Sequence, residues 1–175
     1  ASIWGNSFTI EDTVSSDNTF QIGTAISNSA TLTLNNVYDD YTDLDFTGAK
    51  VVLYVGLNVQ QGTSVAPEML RKGTYVVYDA VYDMDVIKLS LVDNMSKFDK
   101  GYSLSSLVYP ATLGEIVRNA CSICDVTLNT PSIPHDSFVI DQRPDDSSNT
   151  FRDVISYVAQ IAGCYARCDN YGRLE

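Results

Sequence analysis

The sequence has few basic residues and no long apolar run. Its 175 residues include 22 acidic but only 11 basic side chains, which leaves a net charge of −11. A surface of that charge repels phosphate, so we expect neither specific nucleic-acid binding nor attraction to an anionic membrane. No stretch approaches the roughly 20 consecutive apolar residues of a membrane span, and residues 1–6 lack the regions of a signal peptide. We therefore expect no membrane insertion.

Histidine occurs once, and the common patterns of catalytic sites are absent. Neither G-x-x-x-x-G-K-[ST] nor G-x-G-x-x-G occurs, which argues against a phosphate-binding loop. His135 lies in a Pro-flanked segment without a G-x-S-x-G or reactive-cysteine signature, so nucleophilic catalysis has little support. Paired carboxylates for glycoside hydrolysis stay open, because 22 acidic residues always offer pairs. We assign no catalytic or cofactor-binding residue and predict that the chain is not an enzyme.

An acidic cluster in the first half of the chain resembles a calcium-binding loop. Its members are Asp39, Asp40, Asp43 and Asp45. Residues from Asp43 onward match the first positions of such a loop, but the twelfth position falls on Tyr54, which cannot supply the bidentate carboxylate. A solvated connector between strands is the better interpretation.

Four cysteines occur as two pairs, Cys121 with Cys124 and Cys164 with Cys168. Two such pairs invite a zinc site. The first pair falls on the apolar stripe of a predicted helix, where a free thiol behaves as a small hydrophobe. If the second pair is extended, its sulfurs lie roughly 13 Å apart, too far to share one ion. We predict reduced, metal-free thiols in the core, with metal binding and disulfide or redox chemistry as the alternatives.

The first hundred or so residues alternate apolar and polar positions, which predicts half-buried strands. In residues 30–34 the aliphatic side chains face one way and the threonines the other. Residues 51–57 are apolar on both faces, which predicts a central or covered strand. Residues 74–80 and 86–92 predict an antiparallel hairpin. Strands this numerous and short indicate a barrel or sandwich.

Two amphipathic helices are predicted in the second part of the chain. Thr112 and Glu115 form a capping box ahead of the first, and Thr150 with Asp153 caps the second. Gly163 follows the second helix, where a left-handed C-cap is expected. The apolar stripes are Leu113, Ile116, Val117, Ala120, Cys121 and Cys124, then Phe151, Val154, Ile155, Val158, Ala159 and Ala162.

A hairpin is predicted after the second helix. Cys164–Cys168 alternates like a strand, Asp169–Gly172 is typical of a turn, and the return strand begins at Arg173. Because that strand stops in mid-pattern, we expect the natural protein to continue. The most linker-like stretch is Asn129–Ser137, rich in Pro, Ser and Thr.

Aromatic residues are abundant, with 11 tyrosines and 6 phenylalanines. They are numerous enough for a sugar-binding platform, which keeps a carbohydrate- or receptor-binding module open. Most lie in strand patterns, where aromatics commonly pack across strands; examples are Tyr54, Tyr75 and Tyr78. Core or interface positions are therefore the better interpretation.

Seven stretches of the chain form one further pattern: Ala30–Asn35, Asp45–Gly56, Ile87–Asn94, Tyr109–Leu113, Gln142–Asp146, Phe151–Ile155 and Ala162–Ala166. In these stretches the chain resembles the tail-hub or tail-tip proteins of phages and prophages of Gram-positive bacteria. The resemblance spans most of the chain, and the motifs that carry it determine the fold and are not catalytic.

The resemblance implies a mainly β chain with an α+β part. A tube-like antiparallel β-barrel domain would occupy residues 1–108, and a small two-helix α+β domain residues 109–175. It also implies a structural role at the tail tip or baseplate hub, as a homotrimer around the DNA path that contacts tail-tube, distal-tail and tape-measure proteins. Localisation would be the virion tail, assembled in the host cytoplasm. The alternatives are a carbohydrate- or receptor-binding module and the non-catalytic N-terminal part of a tail-associated peptidoglycan hydrolase.

The reduced state of the cysteines can be tested directly. Titration of the denatured protein is expected to find four thiols, and elemental analysis no zinc, because the cysteines lie on core stripes and a phage tail assembles in a reducing cytoplasm. Stoichiometric zinc, or fewer than four thiols, would contradict this prediction.

Overall fold

The computed structural model describes residues 3–13, 21–61, 64–144 and 148–175. The motif at residues 142–146 therefore lies partly outside the described residues. The strands are β1 (Ile3–Glu11), β2 (Ser29–Asn35), β3 (Lys50–Gln61), β4 (Ser64–Asp83), β5 (Val86–Asp93), β6 (Ala111–Thr112) and β7 (Val139–Ile140). The helices are α1 (Leu113–Cys124) and α2 (Phe151–Ala162), with 3₁₀ turns at Asn94–Asp99 and Tyr102–Leu104.

The first five strands form one curled antiparallel sheet in the order β1-β2-β5-β4-β3. It is a half-barrel, because β1 and β3 form its two edges and do not pair with each other. A small two-helix region follows it. The predicted fold class, mainly β with an α+β part, is confirmed.

The period-2 pattern of the sequence determines which face of the sheet is buried. β2 lies antiparallel to β5, with Leu32 opposite Leu89 and Leu34 opposite Ile87. These four side chains are buried, whereas the threonines between them point away from the core. The loop between β2 and β3 closes over this buried face, because Tyr41 and Phe46 pack against the same cluster. The alternation predicted for residues 30–34 is confirmed.

The prediction that residues 51–57 form a central or covered strand is wrong. They belong to β3, an edge strand, and only Leu53 among them is buried. Leu57 and Tyr54 are exposed. Here the apolar residues on both faces of the strand are largely exposed to solvent, and neither face is fully covered by other elements.

The hairpin predicted from residues 74–80 and 86–92 is confirmed as β4 and β5. Its two-residue turn is Met84 and Asp85, and Met84 has a positive φ of 46°. A bulge between Val77 and Asp79 shifts the register, so Ala80 returns to the inner face opposite Leu89.

Both predicted helices are confirmed, with their caps. The Thr112 side chain accepts a hydrogen bond from the Glu115 N–H, and the Glu115 carboxylate accepts one from the Thr112 N–H. Thr150 and Asp153 make the same reciprocal pair at α2. Gly163, with φ of 70°, ends α2 in the left-handed conformation. Every residue of the two predicted apolar stripes is buried.

The second core gathers residues from well before the helices. Met95, Phe98 and Tyr102 are fully buried in it with the stripes of α1 and α2, and Ala25 joins it from the segment before β2. The Tyr102 ring stacks edge-on against Phe151 at 5.1 Å. The buried apolar side chains of the described residues thus form two separate clusters, and the proposed domain boundary between residues 108 and 109 stays a prediction.

The segment after α2 returns on itself as predicted. The Gly172 N–H donates to the Asp169 carbonyl, and Arg167 and Glu175 exchange backbone hydrogen bonds. Ala166 also bridges in parallel to Ala25, which fastens this hairpin to the segment that precedes β2.

Neither helix in the described part of the chain is long and apolar enough to cross a membrane.

The N-terminal cap of α1 provides a test of the second core. Thr112→Ala is expected to lower the free energy of unfolding by about 1 kcal/mol through loss of the capping hydrogen bond. Chemical denaturation followed by circular dichroism measures this, with Thr127→Ala, an exposed position in the next loop, as the matched control. Equal stability of the two variants would mean that the cap contributes nothing.

Candidate functional site

A buried carboxylate lies where the two cores meet. Asp93 ends β5, the central strand, and only 4% of its surface is exposed. It accepts three hydrogen bonds, from the Ser27 hydroxyl at 2.8 Å and from the Asn28 and Met95 N–H groups at 3.0 Å each. The same side chain therefore connects the start of β2, the end of β5 and the first 3₁₀ turn.

Burial raises the pKa of Asp93, while the three hydrogen bonds and the charge of Arg152 act in the opposite direction. A carboxyl with a raised pKa stabilises the fold fully below its unfolded pKa and loses that contribution as the pH rises through its folded pKa. Since the carboxylate has a donor for each of its oxygens, the remaining cost of burying it is partly offset.

The turn Asp169–Gly172 holds the second core against the middle of β4. The Asn170 carbonyl accepts hydrogen bonds from the Arg71 guanidinium at 3.0 Å and the Thr74 hydroxyl at 2.9 Å. The Asn170 amide donates back to the Arg71 carbonyl at 3.2 Å, and the Asn94 amide donates to the Gly172 carbonyl at 2.7 Å. Gly172 has a φ of 78°, a conformation that other residues rarely adopt, and a Cβ there would lie 2.5 Å from the Asn94 amide that makes this hydrogen bond, so the position favours glycine.

Two guanidinium groups contact the ring of Tyr171 in the same turn. Arg71 lies 4.6 Å and Arg173 5.0 Å from the ring centroid. Arg173 also pairs with Asp169 at 2.7 Å. Cation–π contacts of this kind add to the hydrogen bonds that hold the turn against β4.

Next to these contacts a polar cleft of about 350 Å³ opens between the two cores. Tyr75, which is buried, lines it, and burial followed by the nearby charges of Asp12 and Asp93 raises the pKa of Tyr75 to about 12. Arg167 and Glu175 line it as an ion pair at 2.7 Å. The cleft therefore presents a neutral phenol and this ion pair, together with the charged side chains of Lys72 and Asp12.

The cleft offers little reactive chemistry. Its thiol, Cys168, has a pKa raised mainly by burial, so it is protonated and a poor nucleophile. His135, the single histidine, lies in an exposed loop after α1, where its carbonyl accepts the Phe138 N–H, and it is not among the residues that line the cleft. Among the described residues no cluster of three or more His, Cys, Asp or Glu side chains is placed to hold a metal ion.

All four cysteines are free thiols. Cys121, Cys124 and Cys168 are buried, and Cys164 is half-buried. Burial is the main cause that raises the pKa of each thiol, to about 12 for Cys121. Raised pKa values are unfavourable for metal binding and for thiol exchange, both of which need the thiolate.

The acidic cluster lies in the exposed loop between β2 and β3. Asp39 adopts a positive φ of 57°, and its carboxylate accepts the Thr42 hydroxyl. Asp45 accepts the Thr47 N–H at 2.9 Å, a local turn that lowers its pKa. These bonds are those of a connector between strands.

The three tyrosines singled out from the sequence have different surroundings. Tyr75 packs in the first core, whereas Tyr54 and Tyr78 are exposed. Tyr78 is the extra residue of the bulge in β4, which turns it out of the alternation.

Sequence reasoning missed the residues that join the two cores. Asp93 carried a signal, because it continues the inward alternation of Ile87, Leu89 and Leu91 and so marks a carboxylate at a core position. Arg71 and Asn170 carried none, since their contact spans 99 residues and depends on the tertiary fold.

No protein-family model matches the chain, and no curated protein matches it. Its fold resembles a prophage tail protein. The solved structure is the 43 kDa tail protein of prophage MuSo2 from Shewanella oneidensis, with a TM-score of 0.52 and 19% sequence identity. The match covers 87% of this chain and 46% of the MuSo2 protein, so this chain spans about half the length of the protein it resembles. At this identity the likeness shows the fold; the hub of Gram-positive-type phages stays a prediction.

Removal of the Asp93 carboxylate tests its role at the junction. Asp93→Ala is expected to lower the free energy of unfolding by about 3 kcal/mol, because two buried N–H groups and a hydroxyl lose their acceptor. Asp43→Ala, at an exposed site, is expected to change it by less than about 0.5 kcal/mol. Urea denaturation of both variants gives the comparison. Similar losses in the two would show that Asp93 does not hold the junction.

Proposed function

We propose that the chain is a structural component of a phage or prophage tail, located at the tail tip or baseplate hub. The observation that carries this proposal is the fold, a curled sheet with a two-helix region that resembles a prophage tail protein across 87% of the chain. In this role it joins the tail tube to the tip and surrounds the DNA path. No catalytic step is assigned to it.

A homotrimeric ring is the arrangement we propose for the intact protein. The edge strand β3 is unpaired on its outer side within the described chain and exposes apolar side chains such as Leu57, and an edge of this kind offers a surface to a second copy. A heterologous contact repeated around an axis closes a ring. Some of the acidic side chains would line its channel, where like charge keeps DNA from binding to the wall.

The proposed partners are the tail-tube, distal-tail and tape-measure proteins, and the proposed location is the virion tail after assembly in the host cytoplasm. The net charge of −11 is consistent with a conduit that does not retain DNA, and it suits ordinary solubility equally well. The fold therefore supports the proposal more strongly than the charge does.

A carbohydrate- or receptor-binding module of a tail is the second candidate. Exposed tyrosines favour it, since Tyr38 is 84% and Tyr78 73% exposed. Aromatic side chains with a polar tip are common at binding surfaces. Micromolar binding to a glycan array or to purified cell walls would favour this candidate over the hub.

Location in the particle tests the leading proposal. The test is immunogold electron microscopy of tails prepared from the source bacterium, with an antibody against this chain. The gold label is expected at the tip of the tail, beneath the tube, because a hub occupies that position. A pre-immune serum is the control. Labelling confined to fibres would favour the binding module, and unlabelled tails that contain no such chain by mass spectrometry would contradict a structural role.

A further inference from the structure

β3 and β4 continue beyond the end of β5 as a two-stranded ribbon, residues 54–61 and 64–71, called here the arm. β5 leaves β4 at the pair Tyr75 and Asp93, whereas β3 and β4 stay paired as far as Gln61 and Ser64. No third strand flanks the arm in the described part of the chain. A ribbon of two strands is only marginally stable in water. A partner that covers the arm would therefore stabilise it.

Large apolar side chains are exposed on both faces of the arm. Leu57 and Leu70 share one face, because Leu57 lies two residues from Val55, the partner of Leu70. Leu57 is 67% and Leu70 59% exposed. Met69 and Tyr54 are exposed on the opposite face. Neighbouring exposed apolar side chains of this kind are typical of interaction sites.

A second exposed surface, residues 37–45 and 79–85, lies at the other end of β4 and is called here the acidic end. The Asn36 N–H donates to the Asp85 carbonyl, and the Tyr82 hydroxyl to the Leu44 carbonyl, which holds the two segments together. It exposes Tyr38 and Met84 as well as Leu44. Its segments contain no Lys or Arg but seven exposed aspartates: Asp39, Asp40, Asp43, Asp45, Asp79, Asp83 and Asp85.

Charge makes the two surfaces complementary. Lys72 directly follows the arm, and the arm itself contains one basic residue, Arg71, whose guanidinium already binds the Asn170 carbonyl, and one acidic residue, Glu68. Lys72 is exposed and makes no ion pair with the described residues, and the acidic end has only one carboxylate, Asp83, in an ion pair. Opposite charges around apolar centres favour a specific contact.

The two surfaces cannot meet within one molecule. Both lie on β4, where the last residue of the arm, Arg71, and the first residue of the acidic end in that strand, Asp79, are eight residues apart, which corresponds to about 26 Å of extended strand at ~3.3 Å per residue. A contact between them therefore joins two copies, and it leaves one arm and one acidic end free for further copies.

We propose that the arm of one copy packs on the acidic end of a second copy, in a head-to-tail contact. Leu57 and Leu70 are buried against the exposed apolar side chains of the acidic end, and Lys72 faces its aspartates. This inference rests on the proposed function and deepens it, because it names the contact by which the tail component associates with itself.

Two variants, each altered on one surface, test the contact by sedimentation velocity of the 175-residue chain. The arm variant combines Leu57→Asp with Leu70→Asp, and the acidic-end variant combines Asp39→Lys with Asp43→Lys. The unaltered chain is expected to form species larger than a dimer as its concentration rises, whereas each variant alone stays monomeric. An equimolar mixture is expected to stop at a heterodimer, because one intact arm meets one intact acidic end.

Leu104→Asp is the matched control, since Leu104 is 60% exposed and lies outside both surfaces; it is expected to associate like the unaltered chain. Circular dichroism checks that each variant is folded. If the arm variant fails to fold, Lys72→Glu replaces it, with an expected weakening of association of about tenfold.

The proposal is overturned if the unaltered chain stays monomeric at every concentration, if the variants associate normally, or if the mixture stays monomeric. Antibody labelling of tails tests the proposed function separately. Labelled tail tips together with a monomeric chain would refute this contact and leave the tail location intact.

Discussion

The structure depends on one buried carboxylate, because Asp93 belongs to both halves of the molecule. Its strand, β5, lies between β2 and β4 in the sheet, and its side chain begins the 3₁₀ turn that delivers Met95 and Phe98 to the second core. The hydrogen bonds from Ser27 and Asn28 fix the entry into β2 at the same point. Without an acceptor there, two buried N–H groups and the half-buried Ser27 hydroxyl would lose their partner, and the two apolar clusters would lose their polar connection.

The elements that could be predicted from the sequence are those whose capping residues, apolar pattern and end all lie within a short stretch of the chain. Both helices begin at their capping boxes, and α2 ends at Gly163, because cap, stripe and terminus are encoded within about a dozen residues. The hairpin of β4 and β5 was predicted for the same reason. The prediction that β3 is a central strand was wrong, since a run of apolar residues is equally compatible with a covered strand and with an edge strand whose apolar side chains are exposed. Sequence periodicity cannot distinguish these, because it does not count neighbouring strands.

The candidate surfaces were only partly predictable. The sequence contains the seven aspartates of the acidic end, and four of them form a recognisable cluster. That all seven lie at one end of β4 could not be predicted, because it depends on the pairing of residues 36 and 85 in the fold. The arm could not be recognised, because β5 is shorter than β4 and nothing in the sequence of β4 marks where β5 leaves it. A structural protein also lacks the compact set of polar residues that identifies an enzyme, and its function resides in extended surfaces. The likeness of fold therefore supplies what the residues alone do not.

The parallel bridge between Ala25 and Ala166 has a consequence for synthesis on the ribosome. The Gly23 N–H donates to the Cys164 carbonyl, and the Ala166 N–H to the Thr24 carbonyl. Gly23, Thr24 and Ala25 must therefore wait for about 140 further residues before their partners emerge, and at ordinary rates of translation this takes on the order of ten seconds. During that time the five-stranded sheet can form while Ala25 stays uncovered. Completion of the second core is thus a late, long-range step, which the slow closure of large loops delays further.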